Sequence, residues 1–218
     1  MRVNMSSVES GRAPKLLGGL LALVVLLVIF PPFHIRPLGA EAGAPLAATR
    51  DPRQLADQFW RDTLNNPATP ATDIGKLLEL LKVNAAAAGR LGHTADMGGR
   101  PYYFLSGRGR VVSSDPRGLW LDVGVETGAD MKVLLLTGPV FGNALRDATG
   151  LLPMGDLSFA QFNTLSAEID RLAESRGEAA LHGPVAVGST LTFVAAGEID
   201  DSGGAPILKL LPVRATVQ

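Results

Sequence analysis

The chain has 218 residues, carries 20 Lys+Arg against 21 Asp+Glu for a formal net charge of −1, and contains no cysteine. The missing cysteine excludes disulfides, thiol catalysis, cysteine-ligated zinc, iron–sulfur centres and a lipobox, whose acylated residue must be cysteine. Residues 1–36 hold four of the basic residues and one acidic residue, so the remainder has an acidic surplus and lacks the clustered positive charge that drives nucleic-acid binding.

The first element is Leu16 to Phe33, eighteen uncharged residues preceded by Arg12 and Lys15. At about 1.5 Å per residue such a helix covers most of a hydrocarbon core roughly 30 Å thick. A secretory signal has a similar layout, but the small-residue pairs behind this run, Leu38 with Ala40 and Ala42 with Ala44, are distant and poor cleavage sites. An uncleaved anchor is therefore expected. Arg2, Arg12 and Lys15 precede the segment and only Arg36 closely follows it, which keeps residues 1–15 in the cytoplasm and puts the rest across the inner membrane of a bacterium, in the periplasm. Pro31, Pro32, Pro37 and the Gly/Ala-rich stretch to Ala48 make residues 34–50 a linker.

A helical pair is expected over residues 51–98. Asp51 caps the first helix, Pro52 opens it, and Leu55, Phe59, Trp60 and Leu64 share one side before Asn65, Asn66 and Pro67 end it. Thr72 or Asp73 starts the second, with Ile74, Leu77, Leu78 and Leu81 at helical spacing and an alanine run ending at Gly89. After Gly98 and Gly99 the period falls to two. Strands are predicted from Tyr102 to Ser113, through Leu119, Leu121, Val123 and Val125, and from Val133 to Leu136, with a turn at Thr127 and Gly128. A helix follows from Ser166 to about Ala180, with Ile169, Leu172 and Ala173 facing inward. Leu191, Phe193 and Ala195 alternate in the fourth strand, and Ile207, Lys209, Leu211 and Val213 in the fifth, joined by a turn from Asp200 to Gly204.

The fold class is thus α+β: an N-terminal membrane anchor helix, a helical pair, then over residues 99–218 a five-stranded barrel in the order β-β-β-α-β-β, which is that of the OB-fold. An open sheet under the helices has the same strand order, and closure into a barrel is the favoured alternative.

No chemical motif dominates. His34, His93 and His182 are far apart without a second ligand at metal spacing, and H-E-x-x-H, G-x-S-x-G and a phosphate loop are absent. Glu198, Asp200, Ser202 and Gly203 imitate half a calcium loop, but the closing carboxylate is replaced by Lys209, so a hairpin turn is expected. Asp122, Glu126 and Asp130 read as polar hairpin positions. In the cluster Arg100, Arg108, Arg110 and Arg117, the middle two share one strand face. A charged sheet edge that deters aggregation explains them, with anion binding as the alternative. Between Gly138 and Asp147, permissive glycines adjoin Arg146 and Asp147. A charge-locked crossover is the favoured reading, against a guanidinium presented to a carboxylate or sugar hydroxyl.

Gly138-Pro139-Val140, Gly142 and Ala144-Leu145-Arg146-Asp147-Ala148, then Phe159, Phe162 and Asn163, together with Phe59-Trp60, Pro101-Tyr102-Tyr103-Phe104 and Pro212-Val213, resemble an uncharacterised family of predicted periplasmic lipoproteins. The resemblance runs from about Asp51 to the end. It implies a gene neighbourhood with sugar ABC transporter components and brings no catalytic residues. The sequence departs from the lipoprotein label in having no cysteine.

The expected function is a non-enzymatic, membrane-anchored periplasmic accessory of a carbohydrate ABC uptake system, without a cofactor or metal, that binds a solute or contacts a transporter subunit or binding protein. A structural envelope module without a small ligand is the alternative. Arg146, Asp147, Tyr102, Tyr103 and Trp120 are the candidate ligand or partner residues. Exposed aromatic rings on a concave face favour sugar binding, and their burial favours the module.

Overall fold

The computed structural model describes residues 51–94, 99–124, 131–152, 157–181 and 184–218. The expected anchor at 16–33, the linker at 34–50, the turn at Thr127 and Gly128, and His34, His182, Glu126 and Asp130 lie outside these residues. Among the described residues no helix is long and apolar enough to cross a membrane.

Helix α1, Pro52–Phe59, begins where Asp51 accepts the Arg53 amide at 3.0 Å and Pro52 takes the first helical position. It continues as a π-helical turn, Trp60–Leu64, in which the Asn65 amide reaches back five residues to the Trp60 carbonyl at 2.7 Å. Trp60 and Leu64, at the two ends of this turn, are buried in the same core as Phe59. Asp73 ends a two-residue strand β1, Thr72–Asp73, and caps helix α2, Ile74–Val83, by accepting the Lys76 amide at 3.1 Å. The alanine run does not extend this helix. Asn84 adopts an extended conformation and caps a separate short helix α3, Ala85–Gly89, because its side chain accepts the Ala87 amide at 2.9 Å.

The five remaining strands are β2 (Tyr103–Asp115), β3 (Gly118–Asp122), β4 (Lys132–Leu136), β5 (Thr190–Asp200) and β6 (Ile207–Val217). They pair in the cyclic order β2-β3-β4-β6-β5, and β5 returns to β2, so the barrel is closed. β2 closes it by serving two neighbours: residues 103–110 pair with β5 and residues 110–115 with β3, with an irregularity between Val111 and Ser113. Pairing of β4 with β6 is parallel and every other barrel pairing is antiparallel. Arg110 pairs with both β5 and β3, so the sheet-edge explanation fails for it, whereas Arg108 pairs with β5 alone.

Two apolar cores result. The barrel interior holds Leu105, Val111, Leu119, Leu121, Val133, Leu135, Leu191, Phe193, Leu208 and Leu210, and α2 packs onto it through Ile74, Leu77 and Leu78. Gly107 admits that helix, because a Cβ there would sit 2.5 Å from Ile74 Cγ2. The second core lies outside the barrel wall, where Phe104, Ala196, Leu211 and Val213 meet Phe59, Trp60 and Leu64 of the first helical segment. Leu145 and Ala148 join it from helix α4 (Ala144–Asp147) and its C-cap, and Leu165, Ile169 and Leu172 from helix α5 (Phe159–Ala180). The helices of the expected pair therefore serve different cores, and α1 packs against α5 instead, clipped by Arg53 to Glu168 at 3.2 Å and Arg176 to Asp57 at 2.7 Å.

Two further expectations need correction. Helix α5 starts at Phe159 and not at Ser166, because Ser158 and Gln161 cap each other: the Gln161 amide donates to Ser158 Oγ at 3.3 Å and the Ser158 amide to Gln161 Oε1 at 2.9 Å. In β6 the interior positions are Leu208 and Leu210, while Leu211 and Val213 face the helices. This strand is buried on both faces, so it loses the simple alternation of a half-exposed strand.

Candidate functional site

The first candidate cluster surrounds α4. Gly138 and Gly142, at φ of +148° and +115°, shape the approach to it, and the Val140 amide is held by Glu174 Oε1 at 2.8 Å. Arg146 donates Nε to Asp147 Oδ1 and Nη2 to Asp147 Oδ2, both at 2.6 Å, and Nη1 to Ser166 Oγ at 3.0 Å. Its guanidinium carbon lies 4.3 Å from the centre of the Phe162 ring. The side chains of Arg146 and Asp147 are 9% and 8% exposed. A guanidinium stacked on an aromatic ring, doubly bonded to a buried carboxylate and bonded again to a hydroxyl locks α4 onto α5, in line with the crossover reading.

Tyr102 is half-buried at the rim of this cluster. Burial raises its hydroxyl above the ordinary tyrosine value, helped by the carboxylates of Glu198 and Asp147 and opposed by Arg146 and a hydrogen bond with Asn143. Its backbone pairs with His93 through two 2.8 Å hydrogen bonds, and the His93 ring abuts Gly150, which has a φ of +64° and where a Cβ would sit 2.5 Å from the ring's Nδ1. Tyr103, next in sequence, points the other way into the barrel core and is 2% exposed. Burial also raises its hydroxyl.

Asp170 belongs to the same neighbourhood and sequence reading missed it. Burial, reinforced by the Glu174 carboxylate and opposed by Arg146, pushes its carboxyl up to about 7. The available signal was the spacing of Phe162, Ser166, Asp170 and Glu174 at four-residue intervals, one face of a helix that begins at Phe159. Because this pKa lies above that of the unfolded chain, Asp170 adds stability below about pH 4 that is lost as pH rises toward 7. Asp170→Asn should therefore leave the thermal midpoint near pH 4 unchanged and raise it at pH 8. Equal midpoints for mutant and wild type at pH 8 would refute the buried, acid-facing environment.

Trp120 stands outside this cluster, on β3. Asp115 organises it: its carboxylate accepts the Arg117 amide at 2.8 Å, Arg117 Nη2 at 2.8 Å and Trp120 Nε1 at 3.0 Å. The Arg117 and Trp120 bonds hold the Asp115 carboxyl well below the usual carboxylate range. The indole is half-buried, with Arg117 at 5.1 Å and Lys132 at 6.0 Å from its ring. It lines an open groove of about 540 Å³ together with Ser113, Asp122, Met131 and Lys132. The five sequence candidates thus separate into an Arg146–Asp147–Tyr102 cluster, a Tyr103 in the core and a Trp120 groove.

The calcium-like stretch forms the β5–β6 turn, as expected. Lys209 Nζ meets Asp200 Oδ2 at 2.6 Å and the Ser202 amide meets Asp200 Oδ1 at 3.0 Å, which holds that carboxyl well below its usual range.

The sequence matches, over residues 23–216, the family model described as predicted periplasmic lipoprotein (DUF2291). The chain belongs to that family. No curated protein matches the sequence. Among solved structures, an OB-fold protein from Thermotoga maritima superposes with a TM-score of 0.60 at 22% identity, covering 77% of this chain and 98% of that one. At that identity the likeness concerns the fold, and it agrees with the closed five-stranded ring. The family member described here has no cysteine within its 218 residues to carry an acyl chain.

Proposed function

We propose that this protein is a non-enzymatic accessory of a carbohydrate ABC uptake system, held at the periplasmic face of the inner membrane by residues 16–33, and that it binds a neutral sugar in the Trp120 groove. The observation that carries this reading is the pinned, half-exposed indole in an open groove beside Ser113, Asp122 and Lys132. A ring of fixed orientation offers an apolar platform for one face of a pyranose, and the flanking polar groups match its hydroxyls. The basic flank before residue 16 and the family's periplasmic description support the topology.

A second reading, an envelope module that contacts other proteins without a small ligand, is favoured by the burial of Tyr103 in the barrel core. One experiment separates them. Full-length protein is crosslinked in membranes and purified, partners are identified by mass spectrometry, and the detergent-solubilised protein is titrated with neutral hexoses. Recovery of transporter subunits, with hexose binding that Trp120→Ala weakens at least tenfold, is expected. Recovery of other envelope proteins and no hexose response would replace the first reading with the second. A reporter fused after Gln218 should be active in the periplasm, and activity confined to the cytoplasm would refute the topology.

A further inference from the structure

A second groove lies on the outer wall of the barrel, beyond the limit of the helical layer. Side chains at alternate positions of β2, β5 and β6 face outward here, and strand register sets them in rows: Ser106, Val194 and Arg214 in one, Arg108, Thr192 and Thr216 in the next. The helical layer stops at Arg214, whose Nη1 donates to the Asn65 carbonyl at 2.8 Å, at the end of the π-helical turn. What remains uncovered is an open groove of about 560 Å³ lined by Asp73, Ser106, Arg108, Thr192, Arg214 and Thr216.

Charge distinguishes this groove. Of the four clustered arginines, Arg100 pairs with Asp201 at 2.7 Å, Arg110 with Asp122 at 3.6 Å and Arg117 with Asp115 at 2.8 Å. Arg108 has no hydrogen-bond or ion-pair partner among the described residues. Arg214 spends one N–H on Asn65 and keeps its others. The groove's carboxylate, Asp73, is engaged at the amino end of α2, where its Oδ1 accepts the Lys76 amide and the helix dipole offsets its charge. Two guanidiniums are therefore left facing a concavity floored by three hydroxyls, of which Thr192 Oγ1 receives a 3.5 Å contact from Gln218. With neighbouring strands about 4.8 Å apart and residues rising about 3.4 Å, the Arg108 and Arg214 backbones stand roughly 12 Å apart, so their side chains can converge on a ligand of monosaccharide size.

We infer that this groove binds an oxyanion carried on a small hydroxylated molecule, either a sugar acid or a sugar phosphate. The guanidiniums of Arg108 and Arg214 take the anionic oxygens as planar forks, and Ser106, Thr192 and Thr216 exchange hydrogen bonds with the hydroxyls. The groove is separate from that of Trp120, and its ligand is independent of the neutral-sugar reading.

The test is calorimetric titration of the full-length protein in non-ionic detergent at low ionic strength with glucuronate, glucose 6-phosphate, inorganic phosphate and glucose. Saturable binding of glucuronate or glucose 6-phosphate is expected, and whichever binds more tightly identifies the carrier of the charge. Arg108→Gln, a change at an exposed side chain that should leave the thermal midpoint unaltered, should weaken that binding at least tenfold. Thr192→Val should weaken it severalfold, and Trp120→Ala should leave it unchanged. Absence of binding, equal affinity for glucose, equal affinity for inorganic phosphate alone, or indifference to Arg108→Gln would each overturn the proposal.

Discussion

Arg146→Ala is expected to lower the folding free energy by about 3 to 5 kcal/mol, the range for removing one partner of a buried ion pair. The reason lies less in the lost attraction than in what stays behind. Asp147, whose side chain is 8% exposed beside Arg146, would have both oxygens deprived of these donors, and a largely buried carboxylate without partners avoids its desolvation cost by taking up a proton. The loss should therefore deepen as pH rises from 5 to 8. Chemical denaturation of wild type and variant across that range measures both effects. The double variant Arg146→Met with Asp147→Leu removes both charges, keeps comparable volume over Phe162, and should recover most of the loss. A loss of about 0.5 kcal/mol or less for Arg146→Ala would show that the guanidinium is not locked into the fold.

Gly118→Ala should cost about 3 kcal/mol or more, although it adds a single carbon. Gly118 follows the two-residue turn at Pro116 and Arg117, has a φ of +152°, and pairs with Leu136 of β4. A Cβ at this position would overlap the carbonyl oxygen of Leu135. Backbone gives way less easily than the end of a side chain, so β3 must move away from β4 or the turn must change conformation. Either response disturbs the Asp115 bonds that orient Trp120. Urea denaturation should show the reduced stability, and the near-ultraviolet circular dichroism of the indole should change with it. A variant as stable as wild type would mean that the hairpin has a looser geometry than the one described.

Where one residue's chemistry decides a local event, the structure was legible in the sequence. Asp51 and Pro52 start α1, Asp73 starts α2, and the alternation of Leu191, Phe193 and Ala195 identifies the inner face of β5. The order of elements pointed to the barrel, and closure then followed from β2 being long enough to pair with two strands. Errors arose where two demands coincide. β6 faces apolar groups on both sides, so no period separates Leu208 from Lys209 as the inward position. The start of α5 is set by the reciprocal Ser158–Gln161 pair and not by Ser166, which lies inside the helix. Arg146 and Asp147 were readable as a pair because they are adjacent. Asp170 was not, since its environment is assembled from Arg146, twenty-four residues earlier, and from helical contacts visible only once α5 begins at Phe159.

The ring closes through β5 and β6, which lie between Thr190 and Val217, after every other strand of the barrel. A chain emerging from synthesis holds β2, β3 and β4 long before either partner strand exists, and its earliest stable piece is a three-stranded meander with two unsatisfied rims. Closure of the ring therefore waits until β6 has been made. Because β6 also supplies Leu211 and Val213 to the outer core, the helices have no complete wall to dock against until the same moment. Assembly depends on contacts distant in sequence, a topology that folds slowly, and a chain interrupted before Thr190 would display open strand rims and both apolar faces, the features that invite aggregation and proteolysis.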